Sequence, residues 1–292
     1  MGEIGSTVPR RQLGRYLRQA REEAQVHLEA AARDLEWSRA KMYRIEGGQV
    51  PLRTLDVEQM CRLYGATPDL TEALVGLARE AKSDGWWQAY GDAIPRWFEL
   101  YVGLESAASQ IRHYATGLVP GLLQTEAYAT AVFRTLPGCT ESEVARKVAA
   151  RMERQRLLRR VRPRAPELEV VLDESVLRRP MSDPDEWRRQ LAHLSNVTRA
   201  ENVEIWVLPA SVGPHRAWGT GDFVILDFPA IRTRIPEPTT IYSENLTGGL
   251  YLEKPGEVAE YGDVWDELKK LALDTRQSLD LIAEIIKETY DD

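Results

Sequence analysis

The chain has 292 residues, of which 28% are charged, and a formal net charge of −7 at pH 7. This length predicts two domains and a sizeable buried core. No apolar run approaches the roughly 18 residues of a membrane span, and residues 1–8 lack the apolar core of a signal peptide. Two distant cysteines and four histidines favour a reduced, cytoplasmic protein without a metal site.

The charged residues are distributed unevenly along the chain. Residues 10–44 hold nine Lys or Arg against five Asp or Glu, whereas residues 83–292 hold 25 against 33. A basic N-terminal region ahead of an acidic body is typical of a DNA-reading module fused to another domain. Because the asymmetry is modest, we expect DNA binding to be sensitive to salt.

Residues 28–48 predict two short helices joined by a tight turn. Apolar residues recur at helical spacing in the first half, and Met42 and Ile45 form an i, i+3 pair in the second. Ser38 is a good N-cap for the second helix, and Gly47-Gly48 ends it. Two such helices form a helix-turn-helix, whose second helix fits the DNA major groove.

The polar face of this second helix carries the candidate DNA contacts. Arginine pairs in a bidentate manner with a guanine edge, while lysine and tyrosine contact phosphates. We predict that the two arginines read bases and that the serine, lysine and tyrosine position the backbone. A helical hairpin whose polar face is only solvated is the alternative. The candidate contacts are Ser38, Arg39, Ala40, Lys41, Tyr43 and Arg44.

Further helix signals complete an N-terminal domain over residues 1–82. Pro9 opens a first helix, and Pro51 and Thr54 introduce a fourth. Asp69-x-x-Glu72 is a capping box that predicts a fifth helix over Thr71–Lys82. The sequence therefore predicts five helices in about 75 residues.

The helix-turn-helix stretch resembles the Cro/repressor (XRE) class of regulators. The residues that carry this resemblance are Ala32, Leu35, Ser38, Met42, Ile45 and Glu46-x-Gly48. Over residues 10–80 the resemblance implies a head that binds a double-stranded DNA operator as a homodimer. It also implies an ion pair between Arg21 and Glu46, because a Glu at a helix C-terminus needs a facing cation.

Three residues depart from the pattern of that class. His27 stands where a capping Ser or Thr is usual, and Leu28 where a phosphate-contacting Gln is common. Glu36 occupies a turn position that is usually Gly, where a positive φ is needed. Such a misfit costs on the order of 1 kcal/mol, which weighs on tight binding and leaves the fold intact.

The body, residues 83–292, follows a boundary at Ser83-Asp84-Gly85 and predicts a mixed α/β domain. A long helix is expected over Ile94–Tyr114, and further helices follow Thr125, Thr140 and Asp183. Two more close the chain, near Val258–Leu273 and Thr275–Thr289, the second with Asp274 as its cap. With the helical head, the fold class is α+β with a sheet of about five strands. The predicted strands are Leu168–Asp173, Val203–Leu208, Asp222–Phe228, Thr240–Ser243 and Leu250–Glu253.

No sequence motif of a catalytic site is present, so we expect no enzyme activity, no cofactor and no metal. The best constellation consists of carboxylates near predicted strand ends, with a histidine on a Gly/Pro loop, which together suit a cation or acid/base pair. The alternative is that the carboxylates pair with Arg178, Arg179 and Lys254. The constellation is Asp173, Glu174, Glu244, Glu253 and His215.

Tryptophans and an arginine-rich run are the candidate partner-binding features. Trp86, Trp87 and Trp97 either anchor an interface or pack inside the protein. Residues 146–164 hold nine basic residues against one acid, and Arg151 and Arg154 are the candidates within this run. A solvated helix, an acidic partner, the chain's own acidic body and a second DNA contact all remain open.

A second resemblance covers roughly residues 85–290. Ordered segments look like the C-terminal domain of actinobacterial antitoxin-like regulators of the WhiJ-like type, which implies a transcriptional regulator associated with a small partner protein encoded nearby. The segments are Val119–Ala129, Arg154–Leu158, Val171–Pro180, Val207–Pro209, the loop with Gly213 and His215, and Gly249–Glu253.

The sequence therefore predicts a DNA-binding transcriptional regulator whose body binds a small protein. An antitoxin-like interaction module with secondary DNA binding is one alternative. A regulator that senses a small molecule is the other, and it requires a largely apolar pocket with a few polar groups.

Overall fold

The computed structural model describes residues 7–82, 85–229, 237–246 and 248–291. These residues divide into two compact units, one of 7–82, 85–88 and Glu237, and one of 89–229 and 238–291. In the described parts, no helix is long and apolar enough to cross a membrane. The division between the units follows Gln88, so Trp86 and Trp87 belong to the N-terminal unit.

The described residues of the N-terminal unit form the five predicted α-helices. Leu13, Leu17, Met42 and Met60 are almost completely buried at their common core, which places the apolar faces of α1, α3 and α4 together. The helices are α1 (Thr7–Glu23), α2 (Leu28–Asp34), α3 (Arg39–Glu46), α4 (Thr54–Leu63) and α5 (Pro68–Glu80).

Helix α5 begins earlier than the capping box predicts. Thr67 is the N-cap, its Oγ1 accepts a hydrogen bond from the Leu70 amide at 3.3 Å, and Pro68 occupies the first helical turn. The predicted start at Thr71 with Asp69 as cap is therefore wrong. A Thr cap followed by proline is the stronger start signal, because proline has the helical φ and no amide hydrogen to satisfy.

Two glycines bring the backbones of α1 and the end of α3 into direct contact. A Cβ added at Gly14 would lie 2.6 Å from the Ile45 carbonyl oxygen and 2.7 Å from that of Glu46. A Cβ at Gly48 would lie 2.6 Å from the Arg11 Cα, and Gly48 has φ +65°. Both positions therefore require glycine, since any side chain would push α3 away from α1.

In the second unit, the described residues form a mixed six-stranded sheet in the order β3-β2-β1-β4-β5-β6. Neighbouring strands β1, β2 and β3 are parallel, while β4, β5 and β6 continue the sheet with antiparallel pairings. The strands are β1 (Gln110–Ala115), β2 (Glu167–Asp173), β3 (Val203–Leu208), β4 (Phe223–Asp227), β5 (Thr240–Asn245) and β6 (Gly248–Leu252).

Strand β1 lies where the sequence predicts the end of a long helix. Helix α6 (Arg96–Ala107) stops seven residues short of Tyr114, and Gln110–Ala115 pair with both β2 and β4. The prediction of a continuous helix over Ile94–Tyr114 is wrong because pairing on both sides of a central strand overrides the local helical signal. Ile111 and Tyr114 are fully buried in this strand.

Four of the remaining helices of the second unit follow the predicted caps, whereas the helix expected near Val258–Leu273 lies over Pro255–Leu271. Thr140 and Glu143 form the capping box of α8, Asp183 caps α10, and Gln277 and Asp274 cap each other at α12. Helix α8 ends at Gln155, and Arg156–Arg159 continue as a 3-10 turn. The helices are α7 (Glu126–Arg134), α8 (Glu141–Gln155), α9 (Glu174–Leu177), α10 (Pro184–Val197), α11 (Pro255–Leu271) and α12 (Thr275–Asp291).

The glycine pair at 248–249 lies in a strand and not in the turn of a hairpin. Strands β5 and β6 form an antiparallel hairpin, but both glycines lie inside β6, paired with Asn245 and Glu244. A Cβ at Gly249 would lie 2.4 Å from the Tyr242 ring. The glycine is needed because that ring covers the strand at this point.

Candidate functional site

Helix α3 presents one face to the core and one to solvent. Ser38 precedes it in an extended conformation, and its Oγ accepts a hydrogen bond from the Lys41 amide at 3.1 Å. Met42 and Ile45 are buried on the inner face. The helix stops at Gly47, and Gly48 turns the chain with a positive φ. The outer face is thereby fixed in orientation by the core.

The turn between α2 and α3 contains the expected positive φ. Glu36 has φ 55°, although it is not glycine, and the next residue, Trp37, donates its amide to the Ala32 carbonyl at 2.7 Å. His27 begins α2 without a side-chain cap among the described contacts. This turn therefore carries backbone strain of on the order of 1 kcal/mol.

The outer face of α3 holds the predicted DNA-contact residues. Arg39 and Tyr43 are 75% and 67% exposed, and Ala40 and Arg44 are also exposed. The Arg44 Nε donates to the Ala40 carbonyl at 3.3 Å, across one turn of the helix. These exposed residues form a surface two helical turns long.

Lys41 is supported by an aromatic ring that the sequence analysis missed. Its Nζ lies 3.6 Å from the centre of the Trp37 ring, which is a close cation–π contact. The signal was the i, i+4 spacing of an aromatic and a lysine across the helix start. Trp37 therefore orders Lys41 beside the other exposed residues of α3.

Arg39 has an acidic neighbour on α2 that was also missed. The Arg39 Nη1 lies 3.1 Å from the Glu29 Oε1, and both side chains are largely exposed. An exposed pair of this kind contributes little to stability. Its carboxylate, however, places a negative charge beside the guanidinium that we expect to read DNA.

Replacing Glu29 by glutamine is expected to raise DNA affinity about threefold to tenfold, because one carboxylate next to Arg39 no longer repels phosphates. Titration of a fluorescent duplex at two salt concentrations measures the change. Glu58→Gln, on α4, removes the same charge from an exposed residue and serves as control. Equal gains in both variants would attribute the effect to net charge alone.

A buried ion pair holds α3 to α1. Arg21 donates from Nε to Glu46 Oε1 at 2.6 Å and from Nη2 to Oε2 at 2.9 Å, and a third donor reaches the Val26 carbonyl at 2.9 Å. Both side chains are more than nine-tenths buried. The hydrogen bonds to Glu46 raise the pKa of Arg21. This is the pair that the sequence analysis predicts for Arg21 and Glu46.

The predicted carboxylate constellation does not form one site. Glu174 pairs with Arg178 and accepts the Ala210 amide at 2.8 Å, whereas Glu244 accepts from Tyr242 at 3.0 Å on β5. Lys254 pairs with Glu257 instead. Among the described residues, no three His, Cys, Asp or Glu side chains are grouped to hold a metal ion. Local pairing accounts for most of these charges.

Arg154 is buried in the second unit, and Arg151 is partly buried beside it. Only 9% of Arg154 is exposed, and its Nη2 donates to Glu105 at 2.8 Å. Arg151 donates to Gln124 at 2.6 Å and lies 4.6 Å from the Phe133 ring centre. The interpretation of Arg154 as a partner contact is therefore wrong, because this side chain is buried against Glu105. Arg151 is only partly buried, and its role as a partner contact stays a prediction.

The three tryptophans differ in exposure. Trp87 is buried, its ring lies against Gly85, and Trp86 meets it edge-to-face at 6.1 Å. Trp97 is 40% exposed and packs beside Phe98. Burial removes Trp87 from the candidate interface residues, whereas Trp97 retains a free face.

Comparison with protein families gives one match for each of the two parts of the chain. A family model described as "Domain of unknown function (DUF5753)" matches residues 98–284, more than half of the chain. The chain belongs to the DUF5753 family. A second model, described as "Helix-turn-helix domain", matches residues 12–74. No curated protein and no solved structure matches the chain.

The two matches follow the two units of the structure. The helix-turn-helix match begins inside α1 and ends inside α5, so it contains the whole exposed face of α3. The DUF5753 match runs from α6 to α12 and contains the sheet. The chain thus joins a helix-turn-helix domain, of the kind found in DNA-binding regulators, to a DUF5753 body.

Proposed function

We propose that this protein is a sequence-specific transcriptional regulator of the XRE type that binds an operator with α3. The observation that carries the proposal is the exposed face of α3, where Arg39, Lys41, Tyr43 and Arg44 stand together on a helix fixed by the core. Guanidinium groups match guanine edges, and lysine and tyrosine match phosphates. Two such heads in a homodimer would read a two-fold symmetric site.

Selection from a random DNA pool tests this function. The wild-type protein should enrich one palindromic sequence. Arg44→Ala should lose about 1–3 kcal/mol of binding free energy and relax preference at one base pair, because its bidentate pair is gone. Arg39→Ala should act similarly at another base pair. Lys41→Ala should weaken all sequences about equally and lower the salt dependence.

A matched control separates base reading from charge loss. Arg62 is an exposed arginine on α4, and Arg62→Ala should keep the wild-type preference. Wild-type selectivity in both Arg39→Ala and Arg44→Ala would refute the assignment. An operator without two-fold symmetry would refute the dimer.

The body is proposed to bind a small protein, as in the antitoxin-like, WhiJ-like regulators that it resembles, and to have no catalytic role. Trp97 supports this because an exposed Trp is a frequent anchor of interfaces, and Leu100 on the same helix is 36% exposed. Pull-down from the native host should recover a stoichiometric small protein that changes DNA affinity. Trp97→Ala should weaken its capture. A purified chain that retains a metabolite and recovers no protein would favour a small-molecule sensor.

A further inference from the structure

The carboxyl ends of the parallel strands β1, β2 and β3 meet at one edge of the sheet. In open α/β sheets this edge is where ligands usually bind. Here it gathers residues from the ends of β1 and β2, from the first turn of α9 and from the loop before β4. We name them the carboxyl-edge cluster: Tyr114, Thr116, Asp173, Ser175, His215 and Asp222.

Hydrogen bonds hold two carboxylates on either side of Thr116. Asp222 Oδ1 accepts the Thr116 amide at 2.9 Å and also its hydroxyl. Asp173 Oδ1 accepts the Ser175 amide at 2.9 Å, and the Ser175 hydroxyl lies 3.4 Å from the Thr116 carbonyl oxygen. In the described part of the chain these bonds use only Oδ1, which leaves the second oxygen of each carboxylate available.

Two buried polar atoms of the cluster have no hydrogen-bond partner among the described residues. Tyr114 is completely buried and its Oη is unpaired, and His215 Nδ1 is also buried and unpaired. Their ring centres are 6.3 Å apart. Burial, and then the charges of Asp173 and Asp222, raise the pKa of Tyr114, so its hydroxyl remains neutral. Buried polar atoms of folded proteins are nearly always paired, so a partner for these two is expected.

The loop that carries His215 has a glycine with positive φ at each end. Gly213 has φ 69° and Gly221 has φ 64°. Between them, Trp218 is 65% exposed, and its ring centre is 5.8 Å from that of His215. An exposed indole therefore stands next to the buried polar atoms.

We propose that the carboxyl-edge cluster binds a small molecule that carries a protonated amine. Two carboxylates with available oxygens disfavour an anion and attract a cation, while Tyr114 Oη and His215 Nδ1 can accept hydrogen bonds from an ammonium group. Trp218 offers a cation–π face for the same group. Two arginines that follow α9 are already bonded, since Arg178 pairs with Glu174 and Arg179 donates to the Gly117 carbonyl at 3.0 Å.

This inference goes beyond the proposed function, because it gives the DUF5753 body a ligand of stated chemistry. It does not depend on whether α3 reads an operator. Nor does it require a protein partner, whose candidate anchor, Trp97, is on α6.

Calorimetric titration of the full chain tests the proposal with three amines: methylammonium, guanidinium and 1,4-diaminobutane. Uncharged 1,4-butanediol is the matched control for the diamine, because it has the same length and hydroxyls in place of the ammonium groups. We expect at least one amine to bind saturably with a dissociation constant of about 1 mM or less. The diol should give no saturable heat.

Two variants then locate the site. Tyr114→Phe and Trp218→Ala should each weaken amine binding about tenfold, which corresponds to one lost hydrogen bond or cation–π contact. Trp97→Ala removes an exposed tryptophan from α6 and should leave amine binding unchanged. The melting temperature of ligand-free Tyr114→Phe should not fall, because its hydroxyl has no partner in the described chain. That measurement shows that the variant is folded.

Three outcomes would overturn the proposal. The first is no saturable binding of any of the three amines, which would assign Tyr114 Oη and His215 Nδ1 to buried water. The second is equal binding of the diamine and the diol. The third is unchanged affinity in both Tyr114→Phe and Trp218→Ala, which would move the amine to another place.

Discussion

Replacing Glu105 by alanine should lower the free energy of unfolding by about 3–5 kcal/mol, the usual cost of removing one partner of a buried ion pair. Glu105 is 1% exposed and forms a bidentate pair with Arg154. It also accepts the Tyr101 hydroxyl at 2.9 Å. The variant would leave a guanidinium and a hydroxyl buried without their acceptor.

A second, partly buried arginine, Arg151, increases the effect of removing Glu105. Gly121 admits both guanidinium groups, since a Cβ there would lie 3.2 Å from an Nη1 atom of Arg151 and of Arg154. Burial, and then the charge of Arg154, lower the pKa of Arg151 to about 10. Burial opposes the charge of Arg154 as well, but Glu105 raises its pKa overall. Glu105 is thus the buried carboxylate that balances Arg154 next to another cation.

Urea unfolding at pH 7 measures the effect of Glu105→Ala. Glu141→Ala is the matched control, because Glu141 also pairs with an arginine, Arg134, but in an exposed pair, and its midpoint should stay near that of wild type. The double variant Glu105→Leu with Arg154→Leu should recover much of the loss, since no charge of the pair remains. A loss in Glu105→Ala no larger than that in Glu141→Ala would contradict the expectation.

Arg21→Ala should cost about 3 kcal/mol in the N-terminal unit, because Glu46 would be left buried without its cation. Glu46 stands at the C-terminal end of α3, where the helix dipole is already unfavourable for a carboxylate. The variant also loses the bond from Arg21 to the Val26 carbonyl, which ties the segment between α1 and α2. DNA affinity should fall together with stability, because α3 would lose its anchor to α1.

Arg18→Ala provides the comparison for Arg21→Ala. Arg18 is on the same helix and pairs with Glu22, but both side chains are more than half exposed. Its removal should leave thermal unfolding close to wild type. Arg21→Lys keeps the charge without the two parallel hydrogen bonds and should fall between wild type and Arg21→Ala. Identical unfolding of Arg18→Ala and Arg21→Ala would show that the pair is not stabilising.

The N-terminal unit was largely predictable because its signals are local. Apolar spacing, the Ser38 cap and the Gly47-Gly48 stop lie within a few residues of what they determine, and the five helices follow. The i, i+4 spacing of Trp37 and Lys41 was a local signal that went unused. Glu29 beside Arg39 was missed because this contact depends on how α2 and α3 approach one another. The residue types alone do not give that distance.

In the body, several features depend on residues that are far apart in the sequence. Strand β1 was assigned to a helix because Gln110–Ala115 become a strand only through β2 and β4, which follow much later in the chain. Arg154 was assigned to a surface because its partner, Glu105, is 49 residues away. Its neighbour Arg151 was a candidate partner contact too, and its acceptor, Gln124, is 27 residues away. Long-range pairing, with no sign in the local pattern, decided each case.

The contact of Gly14 with the end of α3 has a consequence for how related sequences can diverge. The carbonyl oxygens of Ile45 and Glu46 pack directly against the Cα of Gly14. The distance between α1 and the end of α3 is therefore set by main-chain atoms and is independent of side-chain size. Substitutions elsewhere in the core can accumulate without displacing α3. The outer residues of α3 are then free to change one at a time, so the exposed surface of the helix can vary while its position on α1 stays the same.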